Sequence, residues 1–587
     1  MLTGTISSPA DRRNRRPRAR HLAAGRAAMI AVAVAAAVGA AVLLAGCHTA
    51  PPERAPPEPA PDPSALTVMA EVALQKGDCR AASDEYTQAA ERGTAELARR
   101  ASEVALACHN LPDAWRAAGR WHGLAPTDRN AQLVYGTVAL MLYRIPQARQ
   151  ALSPLVVGTG RTQERDALSL VQLLSDDPGI GAGPTLAALG QSIDAHTASP
   201  LVLAAFGALA LEAFDFHAAE LRVQQLLERN AQSGTARRLL ARTRMREGDA
   251  SGAISAAQDA MRVDPSGSAF ELADVLTGLD RLEEARQELE RLRHTDASPG
   301  DIDRRLALIA FESGDMADAK RRFRELIDRG EANESALLYL GDIAARSGDR
   351  DGALTDYRQL TDTPVALTAI TRAAGILLDR GQRGQALDLL DSYESAHPET
   401  AIDVALAKAD LLADHADAAG GLMFLDTALQ RYPQEPRLAY ERATLLERAG
   451  RTRDSVRAFE ELLRQRPDDP NLLNALGYTL ADHRIQLRRA ESLIRKALAA
   501  SPDNPAMLDS LGWVRRQRGD LRGALPTLER AYVISRDPEI AAHWGEALWA
   551  SGRKSEARKV LADALARNPD SKALKATVHR LVAAGPG

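Results

Sequence analysis

A chain of 587 residues is longer than one globular core usually organises, yet it is 45% hydrophobic with only 4% aromatic residues, and the apolar share is mostly alanine and leucine. Those are helix formers, so the expectation is an all-α protein. The net charge of −4 becomes −10 once residues 1 to 46, with seven arginines and one aspartate, are set aside, an acidic balance that excludes an electrostatic footprint for nucleic acid.

At the start, Arg12, Arg13, Arg15, Arg16, Arg18, Arg20 and Arg26 precede an apolar run from Ala27 to Ala45, the basic-then-apolar layout of an export signal over residues 1–46. A plain membrane anchor is the alternative, since the run approaches the length of a span. Leu44-Ala45-Gly46-Cys47 looks like the lipobox of bacterial lipoproteins, which implies lipidation at Cys47. By that resemblance His48, where enteric-type lipoproteins retained at the inner membrane carry Asp, implies an outer-membrane anchor with the body facing the periplasm. Seven prolines between Pro51 and Pro63 then favour an extended tether over residues 47–63, at about 3.1 Å per residue.

From Ala65 onward a small residue recurs at Ala82, Ala114, Ala148, Ala219, Ala253, Ala285, Ala319, Ala353, Ala386, Gly421, Ser455, Ala490, Ala524 and Ala557. The steps are 32 to 35 residues with one double step of 71. A second small residue or close neighbour lies twelve positions earlier, as at Gly136, Gly207, Gly341, Gly512 and Gly545, and prolines such as Pro467, Pro502 and Pro569 follow twelve later. These offsets resemble the tetratricopeptide repeat. Leu508, Leu511 and Gly512 share one helix face, Gly519-Asp520 permits a turn, and Ala524, Leu528 and Ala531 form the facing stripe. A single hairpin cannot bury its apolar face, so about fifteen should stack into one superhelical solenoid over residues 64–580, with a flexible tail at 581–587.

The pattern blurs between Leu155 and Pro200. There SDDPGIGAG, Ser175 to Gly183, should lengthen a turn, with Pro184 opening the next helix as its first residue. Its spaced glycines do not form a nucleotide loop, because no strand precedes them and no Lys-Ser/Thr follows. The register places Cys79 just after the first hairpin turn and Cys108 just before the second. A disulfide is geometrically plausible in an oxidising compartment, and two buried free thiols are the alternative.

Chemistry has little room outside the repeats. The histidines show no H-E-x-x-H and no pair at helical metal-ligand spacing, and there is no G-x-S-x-G elbow or Walker loop. The expectation is no enzyme, no metal and no cofactor. What the repeats offer is a concave surface lined by first helices. Its inward positions over the last four repeats are Tyr440, Asn474, Tyr478, Asp509, Trp513, Arg516 and Trp549, residue types that dominate binding hot spots or pair with peptide backbone. The alternative is that these rings fill gaps between helices.

The lipobox, the tether, the repeats and two stretches, Asn474–Val514 (NALGYTLADHRIQLRRAESLIRKALAASPDNPAMLDSLGWV) and Asp537–Arg553 (DPEIAAHWGEALWASGR), are together similar to proteobacterial tetratricopeptide outer-membrane lipoproteins. Members of that group partner a periplasmic carboxyl-terminal processing protease and its substrates, peptidoglycan hydrolases. The resemblance implies a protease adaptor. A scaffold for exopolysaccharide export or envelope assembly is the other reading.

Overall fold

The turn at Gly519-Asp520 shows how one hairpin is built. Gly519 takes φ +83°, a left-handed conformation open to glycine. Asp520 then caps the next helix by accepting the Gly523 N–H at 2.9 Å. The same Gly-Asp pair works at 77–78, 248–249 and 348–349, where the aspartates accept the N–H of Ala81, Gly252 and Gly352. Many first helices open instead on a capping side chain followed by proline, as in Ser199-Pro200, Asp469-Pro470, Asn504-Pro505 and Asp537-Pro538. Proline fits there because the first N–H groups of a helix have no intrahelical partner.

The computed structural model describes residues 62–157, 161–193, 198–295, 297–331 and 334–583. The expected signal peptide, Cys47, the tether up to residue 61 and the last four residues lie outside the described residues. Within them are 31 α-helices and no strand. The first ten are α1 (Pro63–Gln75), α2 (Cys79–Arg92), α3 (Ala95–Ala107), α4 (Leu111–Leu124), α5 (Arg129–Met141), α6 (Ile145–Val156), α7 (Arg161–Asp176), α8 (Ala182–Leu189), α9 (Pro200–Glu212) and α10 (Phe216–Arg229). Next come α11 (Gly234–Glu247), α12 (Ala250–Val263), α13 (Glu271–Gly278), α14 (Leu282–Leu292), α15 (Pro299–Glu312), α16 (Met316–Asp328), α17 (Glu334–Arg346), α18 (Arg350–Arg358), α19 (Ala366–Asp379) and α20 (Arg383–Ala396). The last are α21 (Ala401–Asp414), α22 (Ala418–Arg431), α23 (Pro436–Arg448), α24 (Thr452–Gln465), α25 (Pro470–Asp482), α26 (Leu487–Leu498), α27 (Pro505–Gln517), α28 (Leu521–Ser535), α29 (Pro538–Ala550), α30 (Lys554–Arg567) and α31 (Lys572–Ala583). Odd and even helices pair into fifteen hairpins, and α31 covers the end of the stack. None of these helices is long and apolar enough to cross a membrane.

The small residues mark close crossings. A methyl group built on Gly477 would stand 2.6 Å from Ile494, and one on Gly545 2.7 Å from Leu561. Ala524, Leu528 and Ala531 are wholly buried, as the stripe on α28 predicts. Burying each leucine of this kind contributes roughly 1.5 to 3 kcal/mol, so stability accrues repeat by repeat.

The double step contains a complete but irregular hairpin, α7 and α8. The expected long turn is shorter than its sequence suggests. Ser175 and Asp176 remain helical, the turn spans residues 177–181, and α8 opens at Ala182, so Pro184 is its third residue rather than its first. Gly181 at φ +78° makes the reversal directly before Ala182, ahead of the proline that was expected to open the helix. At the other end, Pro63 is already the first residue of α1, and α31 continues to Ala583.

A disulfide joins Cys79, the first residue of α2, to Cys108, which ends α3, with their Cα atoms 5.3 Å apart. It ties the first two hairpins at their turns.

The chain also meets itself far along the sequence. The Asp503 N–H donates to the Phe214 carbonyl at 3.0 Å, and Asp503 Oδ2 accepts the Phe216 N–H at 3.2 Å. His109 Nδ1 lies 3.3 Å from Glu435 Oε2, and its ring meets Tyr432 edge-on at 5.3 Å. Tyr143 is half-buried, and its burial, with the charges of Asp469 and Asp468 nearby, raises its phenol pKa. Gly248 is pressed against Val533, and Ile534 packs on the core formed by α5 to α11. The turns of hairpins 2, 3, 5 and 6 thus meet the loops that follow hairpins 11 to 14, so the solenoid returns to itself after eight or nine hairpins.

Candidate protein-binding surface

First helices one repeat apart are joined by polar pairs. Asp274 on α13 receives Arg305 of α15 at 2.7 Å, and Asp414 on α21 receives Arg448 of α23 at 2.7 Å. The ladder is densest at the C-terminal end. Asp482 Oδ1 accepts the Trp513 indole N–H at 3.0 Å, Asp509 Oδ2 lies 2.8 Å from His543 Nδ1, and Glu546 Oε2 accepts Arg516 at 2.7 Å. Arg580 on α31 closes the series on the other oxygen of Glu546. Each step is 30 to 34 residues, one repeat.

The structure brings Tyr478, Asp509, Trp513 and Arg516 together around His543. The Trp513 and His543 rings stack at 4.1 Å, the Arg516 guanidinium lies 4.6 Å over the Trp513 ring, and Tyr478 is 6.2 Å from the imidazole. Tyr440 packs edge-on against Phe459 at 5.7 Å instead, and Trp549 lies under Lys554 and Arg558 of its own hairpin at 5.4 and 5.2 Å. Asn474 carries a buried Oδ1, and Arg516 a buried Nε, with no hydrogen-bond partner among the described residues. Such atoms cost free energy unless paired, and both are of the kind that engages a peptide backbone.

Burial sets the electrostatics. Desolvation pulls the His543 pKa down, but the charge and hydrogen bond of Asp509, with Glu546 and Glu539 beyond, more than offset it and hold the imidazole above its ordinary value. Burial pulls the Arg516 guanidinium down. It pushes the Tyr440 phenol up to about 12, and raises Tyr478 as well, in both cases helped by nearby carboxylates. Upstream on the first helices, burial and the charge of Asp410 raise the Glu441 carboxyl.

His543, Glu546, Asp482 and Arg580 were not among the residues singled out from sequence. His543 could have been found by stepping one repeat from Asp509. Glu447, Asp482 and His483 bring one ligand-type atom each within 4.8 Å of one another, two carboxylates and an imidazole from neighbouring repeats, the donor set of a divalent-cation site. Their atoms are already engaged: His483 Nε2 lies 2.9 Å from Glu447 Oε1, and Asp482 holds Trp513. The arrangement acts as a brace between repeats.

A family model recognises the repeat. The model of the tetratricopeptide repeat matches residues 241–302, 304–366, 440–485 and 486–539. A TPR repeat-containing protein of Pseudomonas aeruginosa is 30% identical over 213 residues, which is 36% of this chain and 36% of that protein, so the chain matches little more than a third of that curated relative's length. Among solved structures, yeast Tom70 aligns at 15% identity over 84% of this chain and 95% of its own, with a TM-score of 0.30. The Cut9–Hcn1 hetero-tetramer of the APC/C aligns at 13% identity over 89% and 97%, also at 0.30. The fold is an all-α superhelix of stacked helix hairpins, four stretches of which match the tetratricopeptide repeat.

Proposed function

We propose that this protein is a lipid-anchored adaptor on the outer membrane, facing the periplasm, that brings peptidoglycan hydrolases to a carboxyl-terminal processing protease and promotes their cleavage. The observation that supports its binding half is the C-terminal cluster of Trp513, His543, Asp509 and Arg516 on the first helices, of which Trp513 and Asp509 are themselves buried. Clusters of Trp, Tyr and Arg are what protein hot spots are made of. The periplasmic and protease half is supported by the lipobox-like Leu44–Cys47 and by the two C-terminal stretches, which resemble lipoproteins of that role.

Mechanistically, the solenoid holds substrate and protease on one chain and so raises their effective concentration, while a lipid at Cys47 confines both to the envelope. Adding the purified protein to the protease and a purified hydrolase should speed cleavage, and Trp513→Ala should lower that gain. Turnover that stays flat or falls on addition overturns the reading. A scaffold of an exopolysaccharide export complex would instead recover synthase subunits when crosslinked in intact cells.

A further inference from the structure

We propose that the long-range seam is a clasp that latches one superhelical turn to the next, making the solenoid a closed coil rather than an open spiral. The inference does not rest on the protease reading.

The turn residues carry the first argument. At the position that ends each first helix, ordinary hairpins place a left-handed glycine: Gly77, Gly314, Gly348, Gly381, Gly450, Gly519 and Gly552, none with any atom within 4 Å of where a side chain would begin. His109, Tyr143 and Phe214 adopt the same backbone at φ +52°, +56° and +54° with bulky rings. Left-handed backbone at such residues is strained and persists only where the surroundings over-determine it. These are three of the four turns that reach across the seam, to Tyr432 and Glu435, to Asp468 and Asp469, and to Asp503. Asp280, Ala416 and Arg484 share the conformation without an aromatic ring, and Arg484 is held by Gln517 one repeat on.

Gly248 gives the second argument from the opposite direction. It lies in the seam and, besides the left-handed φ it shares with its counterparts, has a second reason to be glycine, because Val533 occupies the place of its side chain. Asp503 gives the third. It is a buried acid whose oxygens bind the Phe216 N–H and Arg530, while its own N–H binds the Phe214 carbonyl. A buried carboxylate needs such partners, and its backbone one comes from 287 residues away. The contacts keep step, since the turns at 109 and 143 and the loops at 435 and 469 are each 34 residues apart. With these edges joined, a segment that reaches the inner wall between hairpins 2–6 and 11–14 enters along the coil axis as an extended chain, and a folded domain must first part the seam.

The test uses the full chain, with solution X-ray scattering and amide hydrogen exchange on Gly248→Leu, Gly314→Leu, Asp503→Ala and Tyr143→Gly. Gly314 has φ +84° against +85° at Gly248, so its leucine variant carries the same backbone penalty outside the seam. Gly248→Leu and Asp503→Ala should lengthen the maximum dimension and speed exchange of the Phe216 amide at least tenfold, while Gly314→Leu keeps the dimension of the parent. Tyr143→Gly relieves the turn and leaves its hairpin intact, so it reads the clasp even where the leucine variant fails to fold, and it too should lengthen the coil. Parental dimensions and Phe216 exchange in both Asp503→Ala and Tyr143→Gly overturn the proposal.

Discussion

Asp509 and His543 sit one repeat apart on α27 and α29, and their side chains meet at 2.8 Å beneath the face of Trp513. The pair is part of the ladder that fastens each first helix to the next, so the most polar part of the candidate surface also holds the C-terminal stack together. Its titration therefore reports on folding. Because the folded His543 pKa is raised, the folded state binds more protons than the unfolded chain between about pH 6.5 and the raised value. Its contribution is fully present below about pH 6.5 and is lost as pH rises through the folded value. Asp509→Asn should flatten this slope in denaturant titrations at pH 6 and pH 9; an unchanged slope would mean that the pair does not titrate as described.

Glu441 loses stability in the same direction for a different reason. Its carboxyl is raised by burial and by Asp410, so the folded state holds a proton that the unfolded chain releases from about pH 4.3 upward. Stability falls as pH climbs through the raised folded value. Glu441→Gln should be more stable than the parent at pH 8 and nearly equal to it at pH 4. A variant weaker than the parent at pH 8 would contradict the shift.

The disulfide closes a sequence separation of 29 residues at the end of the stack. In the chain-entropy model such a loop contributes roughly 3 to 4 kcal/mol. Reduction, or Cys108→Ser, should therefore loosen α1 to α4 and leave α25 to α31 unaffected, read as a gain in hydrogen exchange confined to the first two hairpins. Equal exchange in oxidised and reduced protein would deny the bridge its role.

Crossings should be intolerant in both directions. Leu528→Ala empties a wholly buried site on α28 and should cost about 2 to 5 kcal/mol. Gly512→Val inserts carbon where the Leu528 side chain already lies and should cost about 1 to 3 kcal/mol. Chemical denaturation measures both, and a neutral Gly512→Val would show that the helices can part without penalty.

The candidate surface should be uneven. Trp513→Ala removes the ring that joins His543, Arg516 and Asp482, and should weaken partner binding at least tenfold by calorimetry. Trp549→Ala, whose ring lies under Lys554 and Arg558, should change it much less. Equal losses would place the binding surface elsewhere.

Much of this was legible because a repeat states each contact many times. The twelve-residue offset between Gly512 and Ala524 predicted the crossing that Leu528 fills, and the small-residue register placed Cys79 and Cys108 at the turns their disulfide joins. What failed was local or distant. Pro184 was expected to open α8, but the left-handed Gly181 allowed the helix to begin at Ala182. The candidate surface was read by position within each repeat, which named Asp509 and Trp513 but passed over His543, whose ring lies against them from the first helix of the next repeat. The seam left its trace only as three aromatic residues at a turn position where other hairpins carry glycine, and nothing in the repeat pattern says which distant loop each of them meets.

An open solenoid can gain or lose a repeat at little cost to the others, because each touches only its neighbours. Here the count matters. Between Tyr143 and Phe214 the chain advances two hairpins, while their counterparts at Asp469 and Asp503 are one hairpin apart, and the short α8 belongs to the extra hairpin. Deleting or duplicating any hairpin between the sixth and the eleventh would carry every later loop past its mate by about one repeat. The number of repeats in the middle of this chain is therefore a dimension of the molecule set by the two edges it has to bring into register.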